Sequence, residues 1–203
     1  MNLKTALAQL KELERLGGDM RLAAEGWGEE WKCLIATIMS AQSRDETTIP
    51  IAERLFERYN SLDKLASARY EDVLHIFGGL NLNKGKAKNV IACAKELTLQ
   101  YNGVIPHDLD KLIELSGVGR KTANVFLSEH GKEGLAVDTH VYWLSHKLGW
   151  SNQKDPHKVE ADLKALFPRE MWSKVNPTLV RFGKRFTSRK EKEVILDEIR
   201  SIT

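Results

Sequence analysis

Leu115-Ser116-Gly117-Val118-Gly119-Arg120-Lys121-Thr122-Ala123-Asn124-Val125-Phe126-Leu127 is the stretch that decides the fold. Asp108 is placed to cap a helix over 109–115. The residues after Gly119 open a second helical run, reaching about His130. Between the two lies Ser-Gly-Val-Gly. Glycine takes positive φ at little cost and lets another molecule approach the backbone. The stretch thus reads as helix, tight turn, helix. The amides of Val118, Gly119 and Arg120 are expected to point outward from the second helix start, a geometry that binds phosphate. Lys121 falls in that first turn, where the helix dipole repels positive charge.

The remainder of the chain has the same helical character. Leu3, Leu7, Leu10 and Leu13 recur at helical spacing up to Gly17-Gly18. A run over 29–40 carries Trp31, Leu34, Ile35 and Ile38, and Asp45 is expected to cap a third run holding Ile51, Leu55 and Phe56. Two short helices precede Gly78-Gly79-Leu80-Asn81-Leu82-Asn83-Lys84-Gly85-Lys86, which reads as a loop. Helices are predicted over 87–101, closed by Asn102-Gly103, and over 138–148, 156–167, 176–185 and 191–202. No β-alternation, internal repeat or low-complexity tract interrupts them. The fold class expected is all-α.

Composition narrows the function classes. The chain has 203 residues, 42% apolar and 29% charged, as in soluble globular proteins. No apolar run approaches a membrane span and no signal-peptide pattern opens the chain, so an intracellular protein without membrane association is expected. Two cysteines, Cys33 and Cys93, make no disulfide framework. The six histidines show no metal-ligand spacing, so no catalytic metal is expected. A formal charge of +3 permits a nucleic-acid partner without demanding one.

Leu115–Leu127, followed by Ala136-Val137-Asp138-Thr139-His140-Val141, resembles the helix-hairpin-helix and catalytic segment of the endonuclease III family of DNA glycosylases, whose pattern is LPGVGRKTA and then VDTH. Upstream, IMSAQSRD (38–45) is similar to the family's LLSAQATD, and GGLNLNKGKAKNVI (78–91) to its GLYNSKAENI with extra residues. YNGVIPHDLDKLIEL (101–115) and LVRFGKRF (179–186) also resemble family segments. Together they span roughly residues 30–187 in family order. The resemblance implies a two-lobed fold. A central lobe over 24–133 ends in the hairpin, and residues 1–23 plus 134–203 form a second lobe, with a DNA-binding cleft between them.

The implied chemistry matches the residues. A glycosylase must take the damaged base out of the stack before it can reach the sugar carbon. A lysine amine then attacks C1′, forms a Schiff base and allows β-elimination. The resemblance gives this role to Lys121, expected to be partly buried beside Arg120, and gives Asp138 the charge-stabilising carboxylate. Asp138 also suits a helix N-cap, and the two roles are compatible. His140, in the same string, reads as a packing or hydrogen-bonding residue. Gln42 is assigned to fill the space left by the extruded base. Leu80 or Leu82 would wedge between bases. Gly117, Val118, Gly119, Arg120 and Lys84 would contact DNA, with Lys86 and Lys88 near enough for phosphates. A second basic cluster holds Lys184, Arg185, Arg189, Lys190 and Lys192.

Two departures stand out. Many family members end with four cysteines on an iron–sulfur cluster. Here Thr187 stands where the first would fall and no cysteine follows Cys93, so no cluster is expected and a final helix with Val194, Ile195 and Ile199 is expected to pack there instead. Ser116 replaces the usual proline and is expected to cap the following turn. The reading is a monomeric base-excision glycosylase and AP lyase for oxidised or ring-saturated pyrimidines in damaged double-stranded DNA, needing no cofactor. Alternatives are a monofunctional uracil or thymine-mismatch enzyme or one for adenine, an 8-oxoguanine enzyme, and a non-catalytic helix-hairpin-helix binding module.

Overall fold

The computed structural model describes residues 1–202, and every regular element among them is helical. The chain forms two compact units, Arg21–His130 and a second made of Met1–Met20 with the chain from Gly131 onward.

The first unit holds α2 (Glu30–Ser40), α3 (Asp45–Arg58), α4 (Leu62–Ala66), α5 (Tyr70–Ile76), α6 (Asn83–Tyr101), α7 (Leu109–Ile113) and α8 (Arg120–Glu129). Its centre is α2. Trp31, Cys33, Leu34, Ile35, Ala36, Thr37, Ile38 and Met39 are all buried, so this helix is covered on every side rather than along one stripe. Thr37, the polar member, donates its hydroxyl to the Cys33 carbonyl at 2.7 Å. Helices α3, α6 and α8 pack around it. Phe77, Leu97, Leu112 and Phe126 complete the core.

The second unit holds α1 (Leu3–Gly17), α9 (Thr139–Lys147), α10 (Pro156–Leu166), a 3₁₀ turn Arg169–Met171, α11 (Trp172–Arg185) and α12 (Arg189–Arg200). Helix α1 packs along α11, burying Ala6, Leu10 and Leu13 with Val175, Leu179 and Phe182. Buried Gln9 is satisfied from two sides. It accepts from the Trp150 indole at 2.7 Å and donates to the Ile199 carbonyl at 3.4 Å, which ties α1 to α12.

Several boundaries differ from the sequence reading. Asp45 does not cap α3. It is the first residue of the helix, buried, and Arg44 holds the extended N-cap conformation. Helix α6 begins at Asn83, inside the stretch expected to be loop. Gly85 lies in the first turn of this helix, where a Cβ would meet nothing within 4 Å. Helix α11 begins at Trp172, four residues before the expected start, and carries Pro177 in its second turn. In α12 the buried residues are Leu196 and Ile199, while Val194 is 56% exposed. Of the three residues expected to pack, Ile199 is buried and Ile195 lies against the core, while Val194 faces outward and Leu196 takes its place.

Candidate nucleic-acid interface and catalytic residues

The hairpin turn between α7 and α8 is fastened to α6. The Ser116 amide donates to Glu96 Oε2 at 2.7 Å and the Ser116 hydroxyl to Glu96 Oε1 at 2.6 Å. Ser116 thus anchors the turn backwards to α6 rather than capping α8, as its sequence position suggested. Leu115 and Val118 are buried beneath the turn. The Val118 amide donates to the Leu115 carbonyl at 3.0 Å, so it closes the turn and is not among the outward-facing donors. Asp108 caps α7 by accepting from the Lys111 amide at 3.0 Å.

The two glycines have different reasons. Gly117 has φ +80°, and a Cβ there would lie 2.7 Å from the Asn89 Cβ on α6. Its lack of side chain is required by the fold. Gly119 has φ −89° as N-cap of α8, and a Cβ there would meet nothing within 4 Å. The protein itself does not need glycine at 119. No side chain caps α8, which leaves this helix start open to an anion. Lys121 occupies its first turn and is exposed, not partly buried as expected.

A second construction in the same unit joins the α2–α3 turn to the start of α6. Gln42 (φ 54°) and Leu82 (φ 55°) both hold left-handed backbone conformations. Such conformations cost a non-glycine residue on the order of 1–3 kcal/mol. Among the described residues the remaining non-glycine case is Asn102, which closes α6. Asn81 bridges the two turns. Its side-chain amide donates to the Gln42 carbonyl at 2.6 Å and its backbone amide to the Ser43 hydroxyl at 3.2 Å. Ser43 accepts from a second group, the Lys86 ammonium, at 2.8 Å. Gln42 is exposed and Leu82 is 63% exposed. Leu80 is 5% exposed and belongs to the core, so the two leucines are separated: Leu82 is the one presented outward.

Lys86 differs from its neighbours. Lys84 and Lys88 are exposed, but Lys86 is buried and is not available to a phosphate. Burial pushes its amine down to about 8.

In the other unit Asp138 is the N-cap of α9 and accepts from the Val141 amide at 2.9 Å, so its expected structural role is met. His140, the second residue of α9, packs on Gly183 of α11, where a Cβ would come within 2.8 Å of its ring carbon Cγ. The imidazole is a packing element of this unit.

The residues present do not fit an iron–sulfur cluster. The chain's two cysteines lie apart from the C-terminal segment, in α2 and α6. Burial pushes each thiol up to about 12, away from the thiolate that a metal needs. Among the described residues no three or more His, Cys, Asp or Glu side chains gather where they could hold a metal ion. No helix among them is long and apolar enough to cross a membrane.

With this geometry in view, the chain matches the HhH-GPD superfamily of base excision DNA repair proteins over residues 35–169. It belongs to that family. Among its relatives, endonuclease III of Thermotoga maritima is 37% identical over 77% of this chain and 74% of the relative. Endonuclease III of Bacillus subtilis is 35% identical over 76% of this chain and 71% of the relative. The structure of a trapped endonuclease III–DNA covalent intermediate matches with TM-score 0.84 at 31% identity, over 94% of this chain and 90% of that one. A thermostable thymine-DNA glycosylase shares the fold, with TM-score 0.80 at 14% identity. The matched span of this HhH-GPD protein includes both turns, the hairpin and Asp138.

What the sequence reading missed is the support beneath the named residues: Glu96, Asn89, Asn81 and Ser43. Each partner is distant in the chain, with Ser116 twenty positions from Glu96 and Asn81 thirty-nine from Gln42. One signal was present, the serine at 43 where the family string has alanine.

Gly117→Ala should destabilise the protein by about 1–3 kcal/mol, through positive φ and the Asn89 contact. Gly119→Ala should leave stability within about 0.5 kcal/mol. Urea unfolding checks both, and equal losses would show that the glycines serve one purpose. The same method tests Lys86. Below pH 8 its amine is protonated in folded and unfolded chains alike. From there up to the ordinary lysine value of about 10.5 the unfolded chain still holds a proton that the folded protein has released. This group's contribution therefore rises with pH across that window. The stability of wild type relative to Lys86→Met should grow from pH 8 to 10.5, and a difference flat with pH would show that the amine is not depressed.

Proposed function

We propose that this chain excises oxidised or ring-saturated pyrimidines from duplex DNA and then cleaves the abasic strand as a lyase. The observation that carries the reading is the hairpin. An uncapped helix start with an exposed lysine in its first turn, beside a glycine the fold does not require, suits a backbone phosphate and the sugar next to it. Membership of a base-excision repair family and the likeness to a DNA-bound covalent intermediate support the same chemistry.

Each residue has a stated task. The Gly119 and Arg120 end of α8 receives a phosphate. The Lys121 amine donates its lone pair to C1′, the C1′–N bond breaks, and the base leaves with that electron pair and takes up a proton. The attached amine gives up a proton, the C1′–O bond breaks as the nitrogen lone pair forms the C=N bond, and the ring oxygen takes up a proton, leaving an iminium. Removal of a C2′ proton then expels the 3′ phosphate. Lys121 stands in water in the free protein, so the DNA that covers it supplies the drying the step needs. Asp138, which accepts the Val141 amide, contributes the carboxylate that offsets positive charge developing on the sugar. Gln42 fills the space of the extruded base and Leu82 enters the stack. The protein is proposed to act as a monomer and without an iron–sulfur cluster, the place after α11 being taken by α12 with its apolar residues Leu196 and Ile199.

Borohydride reduction during reaction with duplexes bearing defined oxidised pyrimidines or an abasic site should trap wild type covalently. Lys121→Gln should trap nothing, and Asp138→Asn should trap about 10²–10³-fold more slowly. Undiminished trapping by Lys121→Gln would move the nucleophile elsewhere, and inertness of wild type across the panel would favour the binding module. Purified protein should carry no iron and no visible absorbance; stoichiometric iron would refute the cluster-free reading.

A further inference from the structure

Two exposed side chains assigned to DNA, Gln42 and Leu82, stand on separate turns, and neither turn is rigid by its own sequence. What couples them lies underneath. The Ser43 hydroxyl accepts from the Asn81 amide at 3.2 Å and from the Lys86 ammonium at 2.8 Å, and Asn81 donates onward to the Gln42 carbonyl at 2.6 Å. Lys86 is one turn into α6 and 5% exposed, so its head group is held inside the protein. A buried cation makes strong hydrogen bonds and is costly to leave without them.

We propose that Lys86 is a positioning residue for duplex opening: through Ser43 and Asn81 it locks the Gln42 turn to the Leu82 turn, so that filler and wedge enter the base stack as one body. This rests on the DNA reading of Gln42 and Leu82 given above. Three features support it. Both turns hold left-handed conformations that relax unless their surroundings hold them. The acceptor that joins them, Ser43, stands where the family string has alanine, so this brace is a property of this chain's own residues. Lys86 is also the lysine of the 84–88 group that does not face solvent, which removes the phosphate-contact explanation for it.

The test compares wild type with Lys86→Met, Ser43→Ala, the double variant and Ser43→Thr. The substrate is an abasic strand, cleaved either alone or paired with its complement. Opening a duplex needs the wedge; cleaving the single strand does not. Lys86→Met and Ser43→Ala should each lower the ratio of duplex to single-strand cleavage about tenfold, the loss expected for one charge-assisted hydrogen bond. The double variant should fall no further, and Ser43→Thr, which keeps the hydroxyl, should retain the wild-type ratio. Wild-type ratios in both single variants, or losses that multiply in the double, would overturn the brace. Hydrogen exchange in the free protein probes the brace independently of activity. Lys86→Met should speed exchange at the Asn81 amide and across 41–44 together, and unaltered exchange there would overturn the brace. If wild type cleaves neither substrate, the enzymatic reading fails while exchange still decides the brace.

Discussion

The Glu96 carboxylate, holding both the amide and the hydroxyl of Ser116, is the constraint on which the arrangement depends. A hairpin turn of four residues has too little surface to fix its own position. Here it is fastened to the longest helix of its unit, and Asn89 on that helix fits against Gly117. Lys86, Asn89, Cys93 and Glu96 lie within roughly one stripe of α6. One end of the stripe locates the turns bearing Gln42 and Leu82, and the other locates the hairpin. The helix is also a core element, with Val90, Ala94 and Leu97 buried. Its position is therefore set by apolar packing around α2, and the turns fastened to it inherit that rigidity.

The parts of this design that were plain in the sequence are those with short-range causes. Helical spacing, the caps Asp108 and Asp138, and the closing Asn102-Gly103 follow from local chemistry, and the structure has them. The hairpin could be read because its two glycines, its valine and its cations fall in a fixed order. Elsewhere the local reading misled. Ser116 has the right chemistry for a cap, yet a carboxylate twenty residues back offers its hydroxyl a better partner. Lys86 looked like its neighbours Lys84 and Lys88 because composition does not say which face of a helix a residue takes. Helix α6 starts before the first apolar signal because Leu82 accepts a left-handed conformation that sequence rules reserve for glycine or asparagine.

The strained pair shows how stability and function divide the same unit. Left-handed Gln42 and Leu82 are supported by hydrogen bonds rather than by apolar burial, and both side chains point to solvent. Leu80, two residues before Leu82, does the opposite and stays in the core. The chain thus alternates an anchor and a probe within three residues. The anchor is fixed by the hydrophobic effect, which is indifferent to direction, and the probe by hydrogen bonds, which specify direction.

Helix α6 also sets a scale. Leu82 and Glu96 are fourteen positions apart, so the Leu82 turn and the hairpin anchor are offset by about 21 Å along one axis. Removing a single residue between Lys86 and Glu96 would shorten that offset by only about 1.5 Å but would turn the far end by about 100°. Glu96 would then face away from Ser116 while Lys86 still met Ser43. In this molecule α6 is a ruler whose graduations are angular: the spacing of its two contacts tolerates small errors in length and almost none in phase.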